Sequence, residues 1–241
     1  MSQSPLKLVG FEQDIWVQSA TQLEDLDTVR ILRDGRMFAY ALAGEALAAG
    51  KVNQGAVADA HLNNDAVAAN AAIGALTVTL TPGADDITAS IYKDGYFHIN
   101  AGGTPGQMYR VKDNTASSTT FDVELKDPLR VAITSAASKF TLTQNRQYGV
   151  ITAVAAGLTA PVTGVSPIAV TSGYYFWNQV KGPCAVLIAG TAVVGNGIAV
   201  LTTNGAGAPL ATDSLLPTVG VVMAVNATTE YSLISLAIPG Y

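Results

Sequence analysis

Four Asx-Gly dipeptides punctuate this chain, Asp34-Gly35, Asp94-Gly95, Asn196-Gly197 and Asn204-Gly205. Much of the sequence between them alternates in polarity from one residue to the next. Together these two features constrain the fold more than any other property of the sequence. Asn or Asp followed by Gly tolerates positive φ at low cost, which a two-residue type I′ hairpin turn requires. Alternation with period 2 marks a strand with one face buried. Residues 28–33 run into Asp34-Gly35 and leave through 36–40, which reads as a hairpin. Residues 77–81 set threonines against Val78 and Leu80, 108–112 set Arg110 and Lys112 against Tyr109 and Val111, and 121–125 set two acids against three apolar residues. Near the C-terminus, 219–225 and 231–236 flank a polar turn and read as a closing hairpin with one largely buried strand.

Helical periodicity is nearly absent. Residues 56–75 are rich in alanine, the best helix former, but Asn63-Asn64-Asp65 interrupts them and the larger side chains form no continuous stripe. A short helix within a long excursion is the most they allow. The expected architecture is therefore all-β: a β-barrel or sandwich formed by residues 27–75 and 149–241, with an inserted β-domain at 76–148. Residues 1–26, carrying Phe11, Ile15 and Trp16 among several acids, read either as an N-terminal arm with apolar anchors or as a peripheral segment.

An internal echo supports the idea of one sheet built from both ends of the chain. Phe38-Ala-Tyr-Ala-Leu-Ala-Gly44 aligns with Phe176-Trp-Asn-Gln-Val-Lys-Gly182 at an offset of 138, and each is followed by a short apolar run into a second glycine, Gly50 or Gly190. Two such copies are expected to face each other across the barrel or sandwich.

The 49% hydrophobic content excludes a chain disordered for want of apolar surface. Only 13% of residues are charged, against about a quarter in an ordinary globular domain. A surface so poor in charge is covered by Thr, Ser, Asn, Gln and Ala or partly buried against other subunits, and the second is expected for much of it. With 13 scattered Lys and Arg and a net charge of −5, the chain has no clustered basic footprint for phosphate. Binding to nucleic acid or to an anionic membrane surface is not expected. The most apolar stretch, 184–201, is interrupted by Gly190, Gly195, Asn196 and Gly197 and reads as two short strands, not a membrane span. The first residues lack the basic and apolar regions of a secretory signal, so synthesis in a cytoplasm is expected.

Catalytic constellations are not visible. There are two histidines, His61 and His98, and one cysteine, Cys184. Neither histidine accompanies a nucleophile elbow, no pair shows HxxxH or CxxC spacing, and Asp85-Asp86 and Asp25-Leu26-Asp27 do not begin the oxygen ladder of a calcium loop. The glycine-rich 102–107 lacks the Lys-Ser/Thr pair of a phosphate loop and reads as a turn. No enzyme activity, metal or cofactor is expected. The run Tyr174-Tyr175-Phe176-Trp177 would place Tyr175 and Trp177 on one strand face; either both faces of this strand are core, or Tyr175 and Trp177 are candidates for a subunit interface or a sugar-stacking platform.

Several of these segments resemble a group of tailed-bacteriophage virion structural proteins. The resemblance rests on Arg30–Gly50, on Asp94–Lys112, on Glu124-Leu-Lys-Asp-Pro-Leu129, on Gly173-Tyr-Tyr-Phe-Trp177 and on Val219-Gly-Val-Val-Met223. It implies a capsid decoration (cement) protein that bridges neighbouring subunits of the major capsid protein on the virion surface. It transfers no catalytic residues. Closed symmetry matching a capsid axis suggests a homo-oligomer, a trimer by expectation, with Phe11, Ile15, Trp16, Tyr175 and Trp177 as interface candidates. The competing expectation is a tail- or fibre-associated module that binds host surface carbohydrate.

Overall fold

The computed structural model describes residues 12–57, 62–83, 86–102, 105–135, 137–155, 157–200, 203–210 and 218–241. Phe11 and His61 lie outside them. Sixteen strands are assigned, and no α-helix occurs among the described residues. The protein is all-β.

The chain divides into two compact units, one made by the chain up to Ala56 together with Gln147–Tyr241, the other by Val57–Arg146. The insertion is therefore larger than the expected 76–148. Residues 62–75 belong to it because β4 (Asn63–Ala66) pairs with β9 (Lys139–Thr143), Val67 bridges Leu80 and Ala71 bridges Ile133. Leu62, Val67 and Ala71 are buried in that unit's core. The Asn-Asn-Asp run that interrupts any helix is itself the strand, with Asn64 at φ +68° where the β4–β9 register shifts. A bulged strand with little burial shows no alternation to read.

In this inserted unit the sheet order is β4-β9-β6-β7-β8-β5, with β5 Thr77–Leu80, β6 Tyr96–Ala101, β7 Met108–Asn114 and β8 Phe121–Leu125. Val67 continues from β4 into a bridge with Leu80 of β5, and Ala68 N donates to Thr79 O at 3.0 Å, so the sheet curls until its two edges are joined. Val78, Leu80, Val111, Phe121 and Val123 point into the core as the alternation requires. Asp94, fully buried at φ +63°, accepts from Lys126 Nζ at 2.6 Å.

The other unit is a ten-stranded sheet in the order β10-β3-β11-β12-β16-β15-β13-β14, with β1 on β2 and β2 on β12. Its strands are β1 Val29–Ile31, β2 Met37–Leu42, β3 Val52–Gln54, β10 Ile151–Thr152, β11 Val162–Val165, β12 Tyr175–Leu187, β13 Gly197–Val200, β14 Gly207–Pro209, β15 Gly220–Ala224 and β16 Tyr231–Ala237. This sheet also curls back on itself. Gly205, between β13 and β14, accepts from Val52 N and donates to Ala153 O, both at 2.8 Å.

β12 is the spine of this unit: residues 175–181 pair with β2, and 181–187 with β16. The echoing segments are thus direct antiparallel neighbours and do not face each other across the core. Phe38 pairs with Gln179 and Ala41 with Phe176, the exchange that a local twofold relation between the two copies demands. Between the sheet's strands runs a buried polar chain. Asn53 Nδ2 donates to Ser166 Oγ at 2.7 Å, Asn178 Nδ2 to Gln147 Oε1 at 3.2 Å, and Gln147 Nε2 to Tyr241 Oη at 2.8 Å.

The turn chemistry differs from expectation. No Asx-Gly dipeptide has positive φ at both residues, so none is a type I′ turn among the described residues. At the first hairpin, Leu32 N donates to Arg36 O at 2.9 Å, and only Gly35, at φ +86°, is left-handed. That is a three-residue loop with glycine at its left-handed position, among the next most common hairpin connections.

Candidate functional site

The five interface candidates have different fates. Phe11 is outside the described residues. Trp177 is fully buried and cannot serve at an interface. Its ring packs edge-on against Tyr40 at 5.0 Å, and its Nε1 donates to Gln13 O at 2.9 Å. Ile15 is buried in the same aromatic cluster, with Leu26, Phe38 and Tyr40. Tyr175 is half-buried and stacks on Tyr40. Trp16 alone is strongly exposed, at 58%.

The cause is the N-terminal segment. From Glu12 onward it is a peripheral strap laid over β2 and β12, not a free arm. Ser19 bridges Tyr175, Gln13 Nε2 donates to Val17 O and Tyr175 O, and Tyr40 Oη donates to Gln13 Oε1 at 2.8 Å. The strap covers the aromatic face that the sequence leaves open.

Two neighbouring surfaces remain. The first is the outward side of the β15–β16 hairpin. Ile234 faces the core with its partners Cys184 and Val222. The alternate positions face out: Val221 (43% exposed), Met223 (46%), Val225 (43%), Tyr231 (46%) and Leu233 (41%). No residue of either strand carries a charge. A sheet face meant for water alternates apolar-in with polar-out, whereas apolar residues on both faces mark a strand covered on both sides. The expected burial of one closing strand is half right: its sequence is apolar on both faces, yet one face lies open. Met223 is the extra residue where the β15–β16 register shifts, which pushes it outward.

The second surface is a groove of about 530 Å³ beside this hairpin, lined by Trp16, Arg36, Pro167, Gln179, Pro183 and Tyr231 among others. Arg36 is held by its own turn: Nε donates to Asp34 Oδ2 at 2.7 Å, and its backbone N donates to Asp34 Oδ1 at 3.1 Å. Those bonds, the backbone one foremost, lower the pKa of Asp34. Arg36 Cζ also lies 5.9 Å from the centre of the Phe38 ring. The Tyr231 ring rests on Gly50, where a Cβ would collide with it, so only glycine allows that packing. Cys184 also lines the groove, but burial pushes its thiol up to about 12, with Arg36 opposing only in part. At neutral pH it is a protonated thiol and a poor nucleophile.

His98 is half-buried on β6, opposite Met108 and Thr141. Among the described residues no three or more His, Cys, Asp or Glu side chains gather as a metal-binding group, and no helix is long and apolar enough to cross a membrane.

Sequence reasoning missed both surfaces. The hairpin face had a signal, because Tyr-Ser-Leu-Ile-Ser-Leu-Ala places large apolar residues at both odd and even positions. The groove had none, since its residues come from six separated segments. Comparison of the chain with protein-family models, with characterised proteins and with solved structures finds no match.

Proposed function

We propose that the protein is a structural component of a tailed-bacteriophage particle, a decoration protein that docks on the major capsid lattice through the outward face of β15 and β16. The observation that carries this reading is the charge-free, apolar-on-both-sides hairpin, with Val221, Met223 and Leu233 open to solvent. The largest contiguous apolar patch on a soluble protein is often a functional one. The resemblance of 30–50 and 94–112 to phage virion proteins is what suggests the capsid as the partner.

The proposed mechanism is mechanical. The five outward side chains Val221, Met223, Val225, Tyr231 and Leu233 are far fewer than the roughly 20–30 residues a side in a stable pairwise interface, so one such contact is weak. Contacts repeated over a closed oligomer, a trimer in this proposal, add through effective concentration and hold neighbouring capsid subunits together against the pressure of packaged DNA.

The test adds purified protein to particles that lack it and counts bound copies by electron microscopy. Wild-type protein is expected to occupy lattice-wide sites, and the double variant V221K/L233K to lose occupancy while melting like the wild type. Binding at a unique vertex or on the tail rejects decoration. Unchanged occupancy of the double variant rejects this face as the contact.

A further inference from the structure

The groove beside the hairpin has polar groups that the chain does not satisfy. Gln179 is 3% exposed and lines it. Its Nε2 donates to Pro183 O at 2.8 Å and to Lys181 O at 3.3 Å. Those two carbonyls settle which end of the amide is which, because only the NH2 group can donate to them. Oε1 is left as an acceptor without a donor among the described residues. That oxygen is open to a ligand that donates. Arg36 uses Nε on Asp34, and its two Nη groups make no hydrogen bond among the described residues. The groove therefore presents a fixed acceptor and fixed donors together.

Its walls are aromatic. The Cδ1–Cε1 edge of the Tyr231 ring lies against Gly50, and the residue is 46% exposed; Trp16 is 58% exposed. Each is a flat apolar surface with a polar edge, the arrangement that favours a ligand with one apolar face and several polar groups.

We propose that this groove is a carbohydrate-binding site for one or two sugar rings. The C–H face of a pyranose stacks on Tyr231 or Trp16. One ring hydroxyl donates to Gln179 Oε1, and a neighbouring hydroxyl, or the carboxylate of an acidic sugar, accepts from Arg36. The volume of about 530 Å³ lies within the usual range for small-ligand sites. A proline-rich segment would also stack on these rings, but proline has no N–H, so it would leave Gln179 Oε1 unsatisfied. A hydroxyl both donates and accepts, which is the pairing that Gln179 and Arg36 ask for. This site goes beyond the capsid reading and does not depend on it.

The chain's two tryptophans make the test direct. Trp177 is sealed in the core, so acrylamide quenching of fluorescence reports mainly on Trp16. The full-length protein is titrated with glucose, galactose, N-acetylglucosamine, glucuronic acid and their β-linked disaccharides at millimolar concentrations. At least one is expected to protect Trp16 saturably. By titration calorimetry, Trp16→Ala and Arg36→Gln are each expected to weaken that sugar at least tenfold, with melting temperatures unchanged. No protection by any saccharide overturns the proposal. So does protection by an oligoproline peptide in place of sugar, or sugar binding that both variants retain. Because the assay uses no particles, its failure leaves capsid docking standing, and failure to bind particles leaves the sugar site standing.

Discussion

Ile234 and Leu233 are adjacent on β16, and the two-sided hairpin assigns them opposite roles. Ile234 is fully buried between Cys184 and Val222, whereas Leu233 is 41% exposed. Ile234→Ala removes three buried carbons and leaves a cavity that a closed sheet cannot collapse into, a loss of about 2–5 kcal/mol. For a chain of this size each kcal/mol lowers the melting temperature by roughly 2–4 °C, so a mid-range loss of about 3 kcal/mol corresponds to roughly 6–12 °C. Leu233→Ala removes side-chain atoms that already face water, and such changes stay within about 0.5 kcal/mol, under roughly 2 °C. Thermal unfolding of the isolated protein by near-ultraviolet circular dichroism measures both. Particle binding should reverse the order, with Leu233→Ala losing occupancy and Ile234→Ala retaining it below its melting temperature. If Leu233→Ala melts as early as Ile234→Ala, the outward face is already covered in solution and the reasoning is refuted.

Two further outcomes follow from the same unit. Trp177→Ala is expected to destabilise by about 3–5 kcal/mol because a fully buried ring and its bond to Gln13 O are lost, and it should leave acrylamide access to Trp16 unchanged; a surface role for Trp177 would show the reverse. Burial raises Cys184 from 9.0 to about 12 and Tyr40 from 10.0 to about 12. Both folded-state values lie above the unfolded ones, so the stability these neutral groups contribute is complete below about pH 9 and is lost as pH rises toward 12. Denaturant midpoints that hold constant from pH 8 to 11 would contradict this.

The strands of the inserted unit were legible because alternation is a local property: Val78 and Leu80, Tyr109 and Val111, Phe121 and Val123 all face its core. Reading β4 needed its partner. Asn63–Ala66 carries no pattern of its own and is a strand only because β9 lies beside it. The boundary between the units moved with it, from 75 to 56.

Trp16 and Trp177 separate what the sequence determined from what the tertiary structure decided. Composition and period established that the chain is all-β, that turns lie near Asp34-Gly35 and Asn204-Gly205, and that only 13% of its residues are charged. These follow from side-chain volume, φ tolerance and spacing along the chain. Which aromatic face stays open does not, because burial is a relation between segments far apart in sequence. The strap 12–28 lies across β12 more than 160 residues later, through Gln13 at separations of 162 and 164, and buries Trp177, leaving Trp16 outside. The partners in the groove, Arg36, Gln179 and Tyr231, likewise meet only because β12 pairs with β2 along one half and with β16 along the other.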